Sequence, residues 1–260
     1  MKWTLEAEEE IKKVPFFVRK KVKKRVEKEA LAENKNIVTI SEVKLTQKRF
    51  LNNMSKEVKG YQIDSCFGSG GCPNKIIDSD NLIKKLGIML DKEDLLDFLQ
   101  KSVKGDLKFH HEFRVTISEC PNACSQPQIK DIGIIGAFEP YVSDNECTMC
   151  QMCIRTCKED AITLNDEGPE IDFNRCLLCG QCAVDCETET IKKKREGFRV
   201  LLGGKLGRHP RLAEELPGIF TEDEVIEIVK KSVCFYKENS TGGKRFAVLL
   251  MDRNISEVLN

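Results

Sequence analysis

Twelve of the 13 cysteines in this 260-residue chain are spaced as metal ligands. Eight of them form two runs of the pattern C-x2-C-x2-C-x3-C, the second starting 29 residues after the first: Cys147, Cys150, Cys153 and Cys157, then Cys176, Cys179, Cys182 and Cys186. In such runs three thiolates of one tight loop bind one [4Fe–4S] cluster, and the fourth binds the other cluster. We therefore expect one cluster on Cys147, Cys150, Cys153 and Cys186, and a second on Cys176, Cys179, Cys182 and Cys157. Zinc is the alternative, because C-x2-C pairs also bind zinc, but a zinc site needs no third cysteine at this spacing.

Four further cysteines form two separated pairs. Cys66 and Cys72 have the spacing C-x5-C, and Cys120 and Cys124 have the spacing C-x3-C. The two pairs would bind a third [4Fe–4S] cluster if they follow adjacent strands of one sheet. Glycines in the first pair would let the backbone turn tightly: they are Gly68, Gly70 and Gly71. Pro121 and Asn122 favour a turn in the second pair.

Composition narrows the possible functions. The 42 basic and 42 acidic side chains give no overall attraction to nucleic acid or lipid. The sequence has no run of eighteen apolar residues and no apolar segment near its start, so we expect neither a membrane span nor a secretory signal. We expect a cytoplasmic protein, in which clustered cysteines serve metal ligation and not disulfides.

The charge is unevenly distributed. Residues 1–60 carry 16 basic and 9 acidic side chains, whereas residues 141–190 carry 3 basic and 11 acidic ones. The acidic segment is a solvated face, or it docks a basic electron-transfer partner or the basic N-terminal region. The basic segment predicts an amphipathic helical hairpin packed on the main body, and glutamates that interrupt its positive face disfavour nucleic acid and lipid.

Local patterns place these residues on helices and strands. Helices are predicted over 5–14, from Pro15 onward with an apolar stripe, over 78–90, 91–103 and 221–239. The stripe consists of Val18, Val22, Val26 and Ala30. Strands are predicted over 109–118, 131–138 and 198–204. We expect the remaining cysteine, Cys234, to be a packed thiol in the last long helix.

Three stretches resemble known families. The two cysteine runs resemble bacterial two-cluster ferredoxins. WTLEAEEEIKKVPFFVRKKVKKRVEKEA, followed by VTISEV, is similar to the small C-terminal helical domain of light-independent protochlorophyllide reductase. ISECPNACSQPQIKDIGIIG, with GFRVLLGGKLGRHPRLAEEL, FTEDEVIEIV and GKRFAVLLMDR, resembles the iron–sulfur and siroheme domain of sulfite and nitrite reductases. A ferredoxin inserted into that domain resembles the dissimilatory sulfite reductase subunits.

The last resemblance implies functional residues. Cys66, Cys72, Cys120 and Cys124 would bind the third cluster, and Cys124 would bridge to siroheme iron. Asn122 and the loop that contains Gly203, Gly204, Lys205 and Arg208 would lie near siroheme. Lys205, Arg208 and Arg211 would pair with its carboxylates or with the anionic substrate. For each of these basic residues, ordinary surface charge is the alternative.

One departure concerns the N-terminal side. Sulfite reductases carry a preceding half that supplies Arg and Lys residues to siroheme and substrate, whereas about 60 residues with a helical pattern precede Cys66 here. We therefore expect an anion site that is incomplete, that is rebuilt by Lys44, Lys48 and Arg49, or that is completed by another chain.

These observations predict an α+β protein with three parts. Residues 1–58 would form a helical module, residues 59–138 and 192–260 a sulfite reductase-like α/β domain, and residues 139–191 an inserted ferredoxin domain. The expected function is an oxidoreductase with three [4Fe–4S] clusters and siroheme that reduces a small anion such as sulfite. The alternative is an electron-transfer subunit, without siroheme, in a larger redox complex. In both cases we expect a redox partner and a homo- or hetero-oligomer; a redox or metal sensor that binds nucleic acid is the weaker interpretation.

Overall fold

The structure, a computed structural model, describes residues 1–14, 16–33, 35–67, 70–251 and 253–259, with the side chains of 16–18, 50–57 and 256 left aside. The predicted roles of Pro15, of Gly68 and of the Val18 side chain lie outside the described residues. The chain divides into two compact units. The first comprises Met1–Val58 and Asp106–His110, and the second comprises Lys59–Gly105 and His111–Asn260.

The first unit is helical. Its elements are the strands β1 (Lys2–Trp3) and β2 (Ile37–Val38) and the helices α1 (Leu5–Lys12), α2 (Phe16–Ala32) and α3 (Ile40–Glu57). The two short strands pair in parallel. Val26 and Ala30 of the predicted stripe are buried with Ala7 and Ile11 of α1, and Val22 packs against them. The hairpin of α1 and α2 follows its apolar pattern, whereas α3 lies within the predicted helical module but is not predicted as a separate helix.

Glu42 fixes the start of α3 and gives this unit a pH-dependent stability. Hydrogen bonds from Lys35 and from Thr39 lower the pKa of Glu42 from 4.5 to about 2. Because the pKa of the folded state lies below the ordinary value, this stabilisation is complete above pH 4.5 and is lost as the pH falls towards 2.

Replacing Glu42 with Gln is expected to lower the stability of this unit at pH 7 by about 1–2 kcal/mol and to flatten its dependence on pH in the acid range. Trp3, the single tryptophan, lies in the same unit, so its fluorescence during urea unfolding at pH 3 and pH 7 measures the effect in the full chain. Glu9→Gln, on an exposed site of α1, is the control. Identical unfolding of the two variants at both pH values would contradict the prediction.

The second unit is built on a five-stranded sheet. Its strands are β3 (Tyr61–Ser65), β4 (Phe113–Ser118), β5 (Ile132–Val142), β8 (Ile191–Leu202) and β9 (Glu214–Glu215), in the order β3-β4-β5-β8-β9. The pairs β3–β4 and β4–β5 are parallel, whereas β8 pairs with β5 and β9 with β8 in antiparallel fashion. A separate hairpin consists of β6 (Ile162–Asn165) and β7 (Gly168–Ile171).

Helices complete this unit. They are α4 (Asp80–Asp91), α5 (Leu95–Ser102), α6 (Met152–Thr156), α7 (Gln181–Val184), α8 (Glu222–Asn239) and α9 (Phe246–Leu249). The rings of Phe113 on β4, Tyr236 on α8 and Phe246 on α9 pack against one another. The mixed α and β fold that the sequence predicts is thus confirmed. Among the described residues, no helix is both long enough and apolar enough to cross a membrane.

The strand predicted over 109–118 is confirmed only from Phe113, where β4 begins, because residues 109–111 form a short 3-10 turn. The prediction for Cys234 is wrong. Cys234 is exposed and not packed, because α8 buries the face of Val225, Val229, Val233 and Tyr236 and Cys234 falls outside that stripe.

The strands β5 and β8 connect the sheet to the segment between them. They pair from Ile132↔Leu202 to Val142↔Ile191, with an irregularity at Glu139/Pro140. Residues 143–190, which contain both cysteine runs and the hairpin β6–β7, therefore leave the sheet and return to it at one place. The predicted strands over 131–138 and 198–204 are confirmed, but both are longer than predicted because they continue to this segment.

Candidate iron–sulfur site

The first cysteine group lies at one edge of the sheet. Cys66 follows β3 directly, and Cys120 follows β4 after one residue, Glu119. Because β3 and β4 are parallel, both loops leave the same edge, and the Cys66 amide donates to the Ile117 carbonyl oxygen at 3.0 Å. Burial raises the pKa of the Cys120 thiol, and its neighbours Cys124, Cys66 and Cys72 raise it further. The structure thus brings together all four cysteines of the two separated pairs.

The loop from Cys120 to Cys124 exposes its second cysteine. Ala123 adopts a left-handed backbone conformation with φ of 52°, and its amide donates to the Cys120 carbonyl oxygen at 3.2 Å. This tight turn buries Cys120 and leaves Cys124 exposed. Asn122 is exposed in the same loop. Cys124 is therefore the most exposed cysteine of this group.

Glu119 is a residue of this site that the sequence analysis missed. Only 2% of its surface is exposed. Its backbone amide donates to Cys66 Sγ at 3.4 Å, and its Oε1 accepts hydrogen bonds from the Ser79 amide and hydroxyl at 3.0 and 2.8 Å. Its carbonyl oxygen accepts from the Ile76 amide. Glu119 thus ties the loops of both cysteine pairs together, and an acidic residue beside a cysteine gave no signal of this in the sequence.

The second and third groups repeat the same backbone conformation. Left-handed residues recur at equivalent places of the two runs, 29 residues apart: Met149 and Leu178, Gln151 and Gly180, Asp160 and Glu189. The short helices α6 and α7 occupy equivalent places as well. The internal repeat seen in the cysteine spacing is therefore a repeat of structure.

Thiols of one cysteine run have neighbours from the other run. Burial raises the pKa of Cys182 to about 12, and Cys179, Cys176 and Cys157 raise it as well. Burial likewise raises the pKa of Cys153, whose cysteine neighbours are Cys147 and Cys186. The fourth cysteine of each run thus lies beside cysteines of the other run. We call Cys157, Cys176, Cys179 and Cys182 the inner group and Cys147, Cys150, Cys153 and Cys186 the outer group.

Backbone amides point at several of the sulfur atoms. Cys147 Sγ accepts from the Met149 amide and Cys157 Sγ from the Ala161 amide, both at 3.4 Å. Cys186 Sγ accepts from the Ile191 amide at 3.3 Å. Burial alone would raise the pKa of Cys186, but this hydrogen bond and that of Thr188 bring the pKa below its ordinary value. Such donors stabilise thiolates and tune a bound cluster.

A cavity joins the inner group to the first group. It has a volume of about 120 Å³, and its lining includes all four inner cysteines together with Cys120, Pro121 and Asn122. β5 carries the contacts beside it. Phe138 donates its amide to the Leu178 carbonyl oxygen at 2.7 Å, while a Cβ on Gly136 would lie 2.8 Å from the Glu119 carbonyl oxygen. The inner group therefore lies next to the Cys120 loop.

Gly180 closes this junction and tolerates no side chain. Its φ is +69°, and a Cβ added there would overlap the Phe138 ring. Gly180→Ala is expected to destabilise the protein by about 1–3 kcal/mol more than the same replacement at a glycine that has a positive φ and open surroundings. Its thermal midpoint should therefore lie about 3–8 °C below that of such a control. Gly242→Ala is that control, because Gly242 has a φ of +63° and open space around it. Equal midpoints of the two reconstituted variants would show that the close contact with Phe138 is absent.

Arg199 is a second residue that the sequence analysis missed. It lies on β8, where Glu215 binds it through two hydrogen bonds of 2.6 Å. Its Nη1 donates to the Leu177 carbonyl oxygen at 3.3 Å, and its charge acts to lower the pKa of Cys176 against the effect of burial. Arg199 therefore supplies a fixed positive charge beside the inner group.

The residues that are predicted to lie near siroheme differ in their exposure and in their contacts. Lys205 is half-buried and Arg208 is exposed, whereas Arg211 donates to the Gly203 carbonyl oxygen at 2.7 Å and pairs with Glu214. Gly203 and Gly204 are buried, and added Cβ atoms would meet Leu250 and the Lys130 carbonyl oxygen.

The alternative anion residues lie in the first unit. Lys44 and Lys48 are exposed on α3, and Arg49 pairs with Glu29 and Glu33.

Two known protein families match parts of this sequence. Residues 60–260 match the family described as the nitrite and sulphite reductase 4Fe-4S domain. The chain belongs to this family. Residues 3–46 match a second family, described as the proto-chlorophyllide reductase 57 kD subunit, which confirms the resemblance of the N-terminal helices.

Two curated relatives carry sulfite reductase names. The coenzyme F420-dependent sulfite reductase of Methanocaldococcus jannaschii is 37% identical over 172 residues, which are 66% of this chain and 25% of that protein. An anaerobic sulfite reductase subunit of Salmonella typhimurium is 31% identical over 139 residues, which are 52% of this chain and 41% of that protein. The chain therefore spans less than half the length of either relative.

A solved structure shares the fold. The crystal structure of dissimilatory sulfite reductase I superposes with a TM-score of 0.52 at 15% identity, over 82% of this chain and 56% of that one. At this identity the likeness concerns the fold alone.

Proposed function

We propose that this member of the nitrite and sulphite reductase 4Fe-4S domain family is an oxidoreductase with three [4Fe–4S] clusters. In this proposal the outer and inner groups would hold two clusters that pass single electrons on to a third cluster, held by Cys66, Cys72, Cys120 and Cys124. Cys124 would also serve as a ligand for siroheme, which would supply the site where a small anion such as sulfite is reduced. The observation that carries the proposal is the cavity lined jointly by the inner cysteines and by Cys120 and Asn122.

The residues around each group fit an iron–sulfur cluster. Each cysteine set combines one buried thiol with partly exposed ones, so each set lies at the border between the protein core and its surface. Amides of Met149, Ala161 and Ile191 offer hydrogen bonds to thiolates. When bound, clusters of this kind carry electrons singly and siroheme binds the anion that accepts them. The chain's own part is to hold the three ligand sets close together, to shield them and to stabilise their negative charge.

Residues of the Cys120 loop and of the 203–208 loop would complete the anion site. Cys124 offers its thiolate as the shared ligand, and exposed Asn122 lies two residues before it. Lys205 and Arg208 are the cations on the 203–208 loop that keep no ion pair among the described residues. They would bind carboxylates of siroheme or the substrate through charge-assisted hydrogen bonds. Arg211 would instead hold the loop, because its guanidinium binds Gly203 and Glu214.

Reconstitution tests the proposal directly. The protein would be purified anaerobically, supplied with iron, sulfide and siroheme, and assayed for iron, absorption and viologen-driven reduction of sulfite and nitrite. We expect about twelve cluster irons and about one macrocycle iron per chain, siroheme absorption bands, and reduction of one of the two anions. Iron for only two clusters would contradict the three-cluster proposal. A full set of clusters that takes up no siroheme and reduces neither anion would contradict the reductase.

The second candidate is an electron-transfer subunit without siroheme. The engagement of Arg211 by Gly203 and Glu214, and the packing of Gly203 and Gly204 against neighbouring residues, favour it. In that case the first cysteine group would pass electrons to a partner protein at exposed Cys124. The same reconstitution distinguishes the two candidates, because only the reductase takes up siroheme.

A further inference from the structure

We propose that the surface over the outer group is a docking site for a small electron-carrier protein with a positively charged surface. We call this surface the outer face and define it by Met149, Cys150, Met152 and Ile154 together with the acidic residues around them. The inference rests on the proposed function, because it names the partner that supplies electrons to the same clusters.

The outer group is the one that faces away from the rest of the site. The cavity shared with the Cys120 loop is lined by the four inner cysteines, and none of the four outer cysteines belongs to the lining among the described residues. A partner that delivers electrons at the outer group would therefore leave the cavity and the exposed Cys124 accessible. Because electron transfer needs the two redox groups to lie close together, a partner protein docked over the outer group would deliver its electrons there.

The centre of the outer face is apolar and exposed. Met149, Met152 and Ile154 expose 46%, 43% and 36% of their surface, and Cys150 between them is exposed as well. Methionine is enriched at protein interfaces, where its flexible side chain adapts to a partner. Arg155 is the cation of this loop, and its side chain folds back on the loop, where Nη2 donates to the Cys150 carbonyl oxygen at 2.9 Å.

Six acidic side chains on three segments beside the outer group are exposed: Asp144, Glu146, Asp166, Glu167, Glu187 and Glu189.

Contacts hold the three segments together. The Ser143 hydroxyl donates to the Glu189 carbonyl oxygen at 2.8 Å, and the Asn145 side-chain amide donates to the Thr188 carbonyl oxygen at 3.1 Å. A Cβ on Gly168, beside Glu167, would lie 3.5 Å from Cys147 Cβ. The carboxylates thus form a rim beside the outer group.

Most of this rim is left uncompensated within the chain. Glu189 pairs with Lys192 at 3.1 Å, and in the part of the chain that the structure describes the other five carboxylates form no ion pair. An uncompensated rim of one sign attracts a partner of the opposite sign and accelerates its association by about 10- to 1,000-fold at low salt. An apolar centre with a charged rim is also the usual arrangement of a protein–protein interface. The partner that fits is a protein with lysines or arginines around its own redox group.

Electron transfer to cytochrome c, a small basic haem protein, measures docking at this face. The reconstituted protein is reduced photochemically and mixed with ferricytochrome c in a stopped-flow instrument. In each transfer one reduced [4Fe–4S] cluster loses one electron, and one ferric haem becomes ferrous. The site variant carries Glu146→Lys and Glu187→Lys. The matched control carries Glu227→Lys and Glu238→Lys, two exposed residues of α8 that give the same change in net charge.

For the native protein we expect a second-order rate constant that falls about tenfold or more as salt rises from about 10 to 500 mM. The site variant should be at least about fivefold slower at low salt, and the control variant should match the native protein within about twofold. Cytochrome c with acetylated lysines should react slowly with all three proteins. Equal rates of the site and control variants, or a native rate independent of salt, would overturn the docking site.

The iron content and the electron paramagnetic resonance spectrum of each variant separate this failure from failure of the proposed function. If the native protein lacks the outer cluster, the proposed function fails. If all clusters are present and the rates do not distinguish the variants, only the docking site fails.

Discussion

Replacing Cys157 with Ser is expected to remove the cluster of the inner group and to leave the cluster of the outer group in place, although Cys157 belongs to the first cysteine run. The reason is the crossed arrangement, in which Cys182 has Cys157 among its nearest thiol neighbours and Cys153 has Cys186. The variant should lose about four irons per chain. Its paramagnetic resonance spectrum after reduction should match that of Cys176→Ser and differ from that of Cys147→Ser.

Cys234→Ser is the matched control for this experiment. Cys234 is exposed on α8 and belongs to none of the three cysteine groups. The control should therefore retain all the iron and an unchanged spectrum. If Cys157→Ser and Cys147→Ser gave the same spectrum, each run would bind its own cluster and the crossed arrangement would be wrong.

Replacing Cys120 with Ser is expected to stop anion reduction while the two clusters of the outer and inner groups remain. Cys120 is buried, follows β4, and lies among Cys66, Cys72 and Cys124, so its loss removes a ligand from the interior side of the first group. Viologen-driven reduction of sulfite or nitrite should fall to the rate without protein. The iron content should fall by about four per chain.

The remaining clusters make this result interpretable. Spectra of the outer and inner groups in Cys120→Ser should equal those of the native protein, which excludes general unfolding. Activity that survives loss of the first cluster would mean that the anion is reduced elsewhere. Loss of all three clusters would mean that the fold of residues 143–190 also depends on this cysteine group.

Much of the fold follows from local sequence signals. α8 begins at Glu222 after Thr221, whose side chain and Glu224 form a capping box, and the acids that follow suit a helix start. The apolar stripe of α2 indicates which residues meet α1. The cysteine spacing predicts the repeat of structure in residues 143–190, because tight ligand loops impose the same left-handed positions on both runs.

The errors arise where tertiary contacts override local patterns. α3 is an exception, because its capping box at Thr39 and Glu42 and its amphipathic pattern are local signals that could have been recognised. Cys234 has apolar neighbours in sequence, yet the helix turns it away from the core. β5 continues to Val142 because β8 pairs with it there, and no local signal marks a strand that lengthens up to residues 143–190.

The candidate site could be predicted only in part. Cysteine spacing identifies the ligands, since each thiolate is defined by its position in a motif. Glu119 and Arg199 act through contacts with residues distant in sequence, Ser79 and Glu215, so the chain order gives no sign of them. The cavity between the inner group and the Cys120 loop likewise depends on the path of β5.

The most direct test of the central claim follows the outer cluster in Cys182→Ser, a variant designed to lack the inner cluster. The protein is reduced fully, the reductant is removed, and sulfite is added while the spectrum of each cluster is recorded. In the native protein we expect sulfite to reoxidise all three clusters. In Cys182→Ser we expect it to reoxidise the cluster on Cys66, Cys72, Cys120 and Cys124 and to leave the outer cluster reduced. Reoxidation of the outer cluster at the native rate in that variant would contradict the account.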